Sequence, residues 1–286
     1  MNSRERIIEM IFPAAALVSA AATLSIPLIM AISGLPLFTG GNFLQYVTGQ
    51  WSPLNGEYGI IPMIAGSVSI ALLSLGIGFP VCLGYTALMT VYAPRRIRSF
   101  LRRIIFVMSG IPTVIYGFAG IFLLVPLVRA VNSEGSGLSV LTAAFLLALL
   151  TAPTMILMVH TSFMNIPGKY LLAIEASGGT QTDLLLYGYL RYSGKGILAG
   201  LLLGFGRAAS DTLIALMVAG NAVTIPSSIF DSARTLTSHI ALVFAADFES
   251  GEFRSIYTCG LTLYLITTTI ALLVRSMSPA DPGATR

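Results

Sequence analysis

From Leu138 to Val159 the chain runs without a single charged side chain, and five other stretches come close to the same condition. A helix rises 1.5 Å per residue, so about 20 apolar residues cross a bilayer. Candidate spans fall at 7–32, 61–92, 104–129, 138–160, 197–222 and 255–274. No other feature restricts the fold as much, because in lipid every backbone group must be satisfied within its own helix or barrel. The expectation is an all-α, polytopic membrane protein of about six transmembrane helices. Composition agrees: 55% of residues are hydrophobic and 10% charged, where soluble domains carry roughly 25% charge.

The first run follows Arg4 and Arg6 and continues to Ile32. That exceeds the apolar core of about 7–15 residues in a cleaved signal peptide, so an uncleaved anchor helix is expected. With six spans, the N-terminus, the 93–103 loop, the 161–196 loop and the C-terminus share one side. Twelve of the sixteen basic residues lie there, Arg95, Arg96, Arg98, Arg102 and Arg103 among them, against Arg129, Arg234 and Arg254 opposite and Arg207 in between. Basic residues gather in short cytoplasmic loops, which places both termini in the cytoplasm. The expected organisation is an anchor helix and external loop over 1–60, a transmembrane domain over 61–274 and a tail over 275–286.

Several activities lack the residues they need. No G-x-x-x-x-G-K-[ST] phosphate cradle is present, so the chain is not expected to hydrolyse ATP. No cofactor is expected: His160 and His239 stand far apart, and neither Cys82 nor Cys259 has ligand spacing. No G-x-S-x-G motif or paired nucleophile and base emerges, which leaves no basis for an intramembrane enzyme. Without a basic surface interleaved with aromatics, nucleic acid is not an expected partner.

The segment 204–221, GFGRAASDTLIALMVAGN, does point to chemistry. Gly196, Gly200, Gly204 and Ala208 recur every four residues and form a small-residue face for close helix packing. Arg207 and Asp211, also four apart, would be neighbours on the same helix. Each such charge costs about 2.5–3.5 kcal/mol at the bilayer centre, so both should face protein or a water-filled cavity. Two readings stay open. Either the pair neutralises itself and fixes helix register, or Arg207 offers its guanidinium fork to a passing anion while Asp211, beside Thr212, accepts a hydrogen bond from a protonated one such as phosphate. In the third span, SGIPTVIYGFAG brings Gly110, Pro112, Gly117 and Gly120 together, residues that permit both close packing and a break. The 161–196 loop should carry two short helices broken at Gly178 and Gly179, and Asp231 should cap a short helix in the external 223–254 segment.

The segments SGIPTVIYGFAGIFLLVP, IPGKYLLAIEASGGT, ILAGLLLGFGRAASDTLIALMVAGN and IPSSIFDSARTLTSHIAL, in this order, resemble the membrane subunits of ABC importers, most closely the PstC type of phosphate permease. The resemblance implies a type I importer permease fold, pairing with a second, homologous permease. Two cytoplasmic ATPase subunits that bind the ATP and Mg, and an external phosphate-binding protein, would complete the assembly in a bacterial inner membrane. It also implies that the 161–196 loop docks on the ATPase through a coupling helix. Aligned without gaps, the family's E-A-A-x-x-x-G glutamate falls on Leu172, its alanine on Ala173 and its glycine on Gly178, with Gly179 following and Glu175 three places late. Arg191 and Lys195 stand where prolines are expected, and Asp211 replaces a glutamate. Arg207 is retained, on the translocation path by resemblance. A permease for molybdate or sulfate, or a secondary anion transporter, are the alternative functions.

Overall fold

A computed structural model describes residues 3–39, 49–132 and 135–277. Part of the expected external loop (40–48) and most of the expected tail (278–286) lie outside the described residues. The described residues are helical almost throughout, with one hairpin of two-residue strands among them, β1 (Trp51–Ser52) and β2 (Glu57–Tyr58).

Two long helices form the centre. α2 (Ile61–Ala87) continues through a π-helical turn to Tyr92, and its partner, after the intervening segments α3 (Arg95–Gly110), α4 (Thr113–Ala119) and α5 (Val125–Val131), is α6 (Val140–Met164). Both are apolar around their whole circumference, the signature of a helix surrounded by protein and lipid. Ile70, Ala71 and Leu75 of α2 meet Ala143, Ala144, Leu147 and Met155 of α6, all buried. Ser139 starts α6 by accepting a hydrogen bond at Oγ from Thr142 N, 3.2 Å away.

α7 (Gly168–Ala176) and α8 (Gln181–Asp183, continued as a π-helix to Leu190) follow, and then α9 (Gly194–Ala209) lies across α2 and α6. α10 (Leu213–Val218), α11 (Leu236–Val243) and α12 (Gly251–Met277) complete the bundle. α1 (Ser3–Thr39) packs mainly on α12, and the side chains of its apolar stretch are largely exposed. Among the described residues, five helical stretches are long and apolar enough to cross a membrane: Glu9–Gly34, Ile61–Tyr92, Thr113–Val131, Val140–Met164 and Gly251–Ser276.

Two expected spans differ in form. The run expected at 104–129 divides at Ile111, whose extended backbone (ψ 123°) is what the following Pro112 demands. Residues 95–110 become the separate, strongly amphipathic α3, and Thr113–Val131 makes the crossing. The run expected at 197–222 is not one helix: α9 ends at Ala209 and α10 begins at Leu213. The expected cap at Asp231 also falls elsewhere. Thr235 caps α11, accepting from Ser238 N at 3.0 Å, while the Asp231 carboxylate closes its own turn by accepting from Ser227 N and Ser228 N at 2.8 Å each.

The connections 93–112 and 165–193 gather at one end of the bundle, where the Tyr92 and Thr182 hydroxyls lie 3.3 Å apart. At the other end, Trp51 stands edge-on to His239, ring centroids 4.4 Å apart, so the hairpin covers α11.

Candidate functional site

The interruption between α9 and α10 follows from Ser210, Asp211 and Thr212, side chains that compete with the backbone for its hydrogen bonds. Ser210 Oγ donates to Gly206 O at 2.7 Å, and Asp211 Oδ1 accepts from Ile214 N at 2.8 Å, as a cap does at the start of a helix. Thr212 O accepts from Leu216 N at 2.9 Å, and Thr237 Oγ1 holds the strand of the gap by donating to Asp211 O at 2.8 Å. Arg207 and Asp211 are therefore not successive turns of one helix. Arg207 sits in the last turn of α9, where a cation complements the carbonyl end of the helix dipole. Asp211 belongs to the start of α10.

The burial of the two side chains separates them further. Asp211 is half-buried and committed through one oxygen, whereas Arg207 is exposed and its guanidinium makes no hydrogen bond or ion pair with any described residue. The Tyr116 hydroxyl of α4, which donates to Met108 O at 3.3 Å, is within electrostatic reach of it.

Small residues bring the walls of this region together. A side chain on Gly204 would meet Met155 Sδ at 2.6 Å and Leu75 Cδ2 at 3.1 Å, and one on Gly200 would meet Val159 Cγ2 at 3.1 Å. The stripe of α9 thus faces α6 and α2. Gly117 of α4 lies under Met217 of α10, its absent Cβ 2.6 Å from Sδ. Pro112 is the residue before the first turn of α4, and Gly110, at the end of α3, has nothing within 4 Å of its Cβ position. Gly117, Gly200 and Gly204 therefore serve packing around the gap, and Gly110 and Pro112 mark the break that separates α3 from α4.

The second set of residues lies at the opposite end of α9, roughly 20 Å from Arg207 at 1.5 Å per residue. Ser193 Oγ donates to Ser162 O at 3.2 Å and fastens the start of α9 to α6. α7 and α8 form the two expected short helices, joined by a turn in which Gly178 adopts φ 80°. Ala173, Gly178 and Gly179, with Ile174, Ser177, Asp183 and Tyr187, line an open concavity of about 530 Å³. Leu172 and Glu175 are exposed on α7 outside that lining. Thr180 and Asp183 form a reciprocal capping box: Thr180 N and Oγ1 donate to Asp183 Oδ2 at 2.8 and 2.7 Å, and Asp183 N donates to Thr180 Oγ1 at 3.3 Å. These bonds hold the Asp183 carboxyl below the ordinary carboxylate range.

Sequence reasoning did not single out Tyr116, Thr237 or the discontinuity itself. The signal was present: Ser-Asp-Thr directly before the apolar LIALMV is the pattern of a helix start. The apolar count continued across it and concealed it. Among the described residues, no three His, Cys, Asp or Glu side chains come together as metal ligands.

A model of the family described as "Binding-protein-dependent transport system inner membrane component" matches residues 76–279. The probable ABC transporter permease protein YqgH of Bacillus subtilis is 30% identical over 94% of this chain and 89% of its own length. The phosphate transport system permease protein PstC of Xylella fastidiosa is 28% identical over 81% of this chain and 77% of its own. Its probable counterpart in Methanocaldococcus jannaschii is 30% identical over 77% and 76%. Among solved structures, a chain of the MetNI methionine ABC transporter in an inward-facing conformation superposes with a TM-score of 0.56 at 16% identity, over 77% of this chain and 95% of that one. That likeness is one of fold, the type I permease arrangement.

Proposed function

The chain belongs to the binding-protein-dependent transport system inner membrane component family, and from that premise we propose that it is a membrane subunit of an ATP-driven importer for inorganic phosphate. The likeness to phosphate permeases over most of their length supports the substrate. As a permease of this family it is a multi-pass membrane protein and a transporter subunit, and it works with an ATPase and a substrate-binding protein. We assign both termini to the cytoplasm, and to the assembly a second homologous permease and two ATPase subunits that bind the ATP and Mg.

One observation carries the mechanism: a guanidinium with no partner among the described residues, exposed at the discontinuity of a membrane helix. An oxyanion entering a passage of low dielectric loses hydration worth several kcal/mol, and a fixed positive charge offsets that loss. Arg207 supplies the charge, with two N–H groups spaced for two phosphate oxygens. Asp211 and Thr212 border the same gap. No described protein donor reaches Asp211 Oδ2, which leaves it able to accept a hydrogen bond from the O–H of hydrogen phosphate. A single exposed arginine is a weak site, as transit requires.

α7 and the turn at Gly178 form the contact to the ATPase, with Leu172, Ala173, Glu175 and Gly179 at or beside the concavity. Closure of the ATPases moves this surface, and α9, fastened to α6 at its start, carries the motion to Arg207.

The test is Arg207→Gln in the complete importer reconstituted in vesicles, with uptake of labelled phosphate, sulfate and molybdate measured separately. We expect phosphate uptake to fall at least tenfold while the ATPase still co-purifies. Uptake within about twofold of the unmodified importer would remove Arg207 from the path. Faster entry of sulfate or molybdate than of phosphate would reassign the substrate.

A further inference from the structure

The basic helix α3 has no part in the mechanism above, and its faces are unequal. One face belongs to the bundle: Ile105 is buried, Tyr85 OH donates to Leu101 O at 2.7 Å, and Arg98 Nη2 donates to Thr90 O at 3.2 Å and Ala93 O at 3.4 Å. Arg98 is thereby committed to the fold. The other arginines are not.

At 100° per residue, Arg95, Ser99 and Arg103 stand one above another, with Arg96 and Phe100 alongside. These five line an open concavity of about 370 Å³. None of the three guanidiniums is paired with a described carboxylate, and no Asp or Glu occurs anywhere between Glu57 and Glu134. Next to the cationic arc runs an apolar one: Phe100 is 63% exposed, Val107 62% and Ile97 47%. A cationic arc bordered by unpaired hydrocarbon is the pattern of a helix lying in the headgroup plane of a membrane.

We propose that this face of α3 binds the headgroup of an anionic phospholipid, with Arg95, Arg96 and Arg103 taking the phosphate, Ser99 adding a hydroxyl, and Phe100 forming the floor against the first methylenes of the acyl chains. Charge complementarity selects an anion, and the apolar border selects its source. An acidic cytoplasmic protein or a free phosphate ion would satisfy the guanidiniums but leave Phe100, Val107 and Ile97 in water. A lipid covers both arcs at once. Arg98 and Leu101 then act as the clamp that holds α3 at the bundle, so the lipid becomes a filler between α3 and the bilayer.

The test is retention of phosphatidylglycerol by the purified full-length chain, read by native mass spectrometry, with zwitterionic phosphatidylethanolamine as control. The unmodified chain should prefer phosphatidylglycerol, and added KCl should weaken that preference. Arg95→Gln, Arg96→Gln and Arg103→Gln should each lower affinity roughly fivefold, and Lys at the same positions should restore most of it. Phe100→Ser should weaken retention of phosphatidylglycerol while leaving its preference over phosphatidylethanolamine in place. The single glutamine variants, and the salt series on the unmodified chain, keep the test decisive if a triple variant that combines all three substitutions misfolds. Equal retention of both lipids, salt-independent retention, or unchanged affinity in the glutamine variants overturns the proposal. So does displacement by inorganic phosphate as effective as by lipid, which would mark a soluble-anion site. Normal lipid retention in a triple variant that no longer co-purifies with the ATPase would instead give the face to a cytoplasmic protein.

Discussion

His239 shows how far a single side chain can be committed by its neighbours. It is fully buried beneath Trp51, and Ser255 Oγ, 3.0 Å from Nε2, already donates its one proton to Glu252 O at 2.6 Å. Nε2 must therefore be the protonated nitrogen, and Nδ1 is left buried with no partner. Burial, with Arg234 nearby, brings its pKa down to about 4 from 6.5. The neutral ring is the folded form, so its full contribution is present above the unfolded value near 6.5 and is lost as pH falls toward 4. The shift corresponds to roughly 3 kcal/mol. We expect the thermal midpoint of the unmodified protein to drop more steeply over that window than that of His239→Phe, which keeps the ring against Trp51 and removes the titration. Parallel curves would contradict the assignment. The sequence marked His239 only as remote from His160; its burial depends on a hairpin that no local pattern announced. Arg207 stood out because a charge in an apolar run has few explanations; of Asp211, four residues on, the structure adds that one carboxylate oxygen caps the next helix while Arg207 stays within electrostatic reach.

Among the elements, α9 and the α7–α8 pair divide the work of glycine in two. At Gly204 the issue is space: a valine there would push α9 away from Met155 and Leu75, at an overpacking cost of about 1–3 kcal/mol. At Gly178 there is open space but φ is 80°, a conformation that costs an L side chain roughly 1–2 kcal/mol and would alter the turn rather than the bundle. We expect Gly204→Val to lower the thermal midpoint by several degrees, and Gly178→Ala to lower it by less while reducing phosphate uptake per ATP hydrolysed. The reverse ranking would place the coupling function elsewhere. The four-residue spacing of α9 made its packing face readable in advance. The ends of elements were harder to read, because Thr235 and Asp231 are both good cap residues and only tertiary contacts choose between them. The division at Pro112 was foreseeable in kind but not in effect, since hydrophobicity alone merged α3 with the crossing that follows.

At the scale of the molecule, the long apolar runs specified nearly all of the architecture, since a bilayer leaves few alternatives to a helical bundle. Chain orientation rests on the asymmetry of basic residues, which the structure gathers around α3 and α7 at one end. That can be checked with little background: Cys82 and Cys259 are buried at 1% and 0% exposure, so a membrane-impermeant thiol reagent should ignore the unmodified protein. Ser276 and Thr224 are exposed near opposite ends. We expect Ser276→Cys to react only in inside-out vesicles and Thr224→Cys only in intact cells; the opposite pattern would invert the topology. The gap between α9 and α10 has a mechanical meaning as well. A continuous helix can tilt only as a rod or by rupturing its ladder of amide bonds, whereas here the regular ladder ends with Ser210 N on Gly206 O, and Ile214 N turns to the Asp211 carboxylate instead. On the role proposed for Arg207, such a joint lets the two pieces change their mutual angle at the loss of few rungs while the route for the ion opens and shuts.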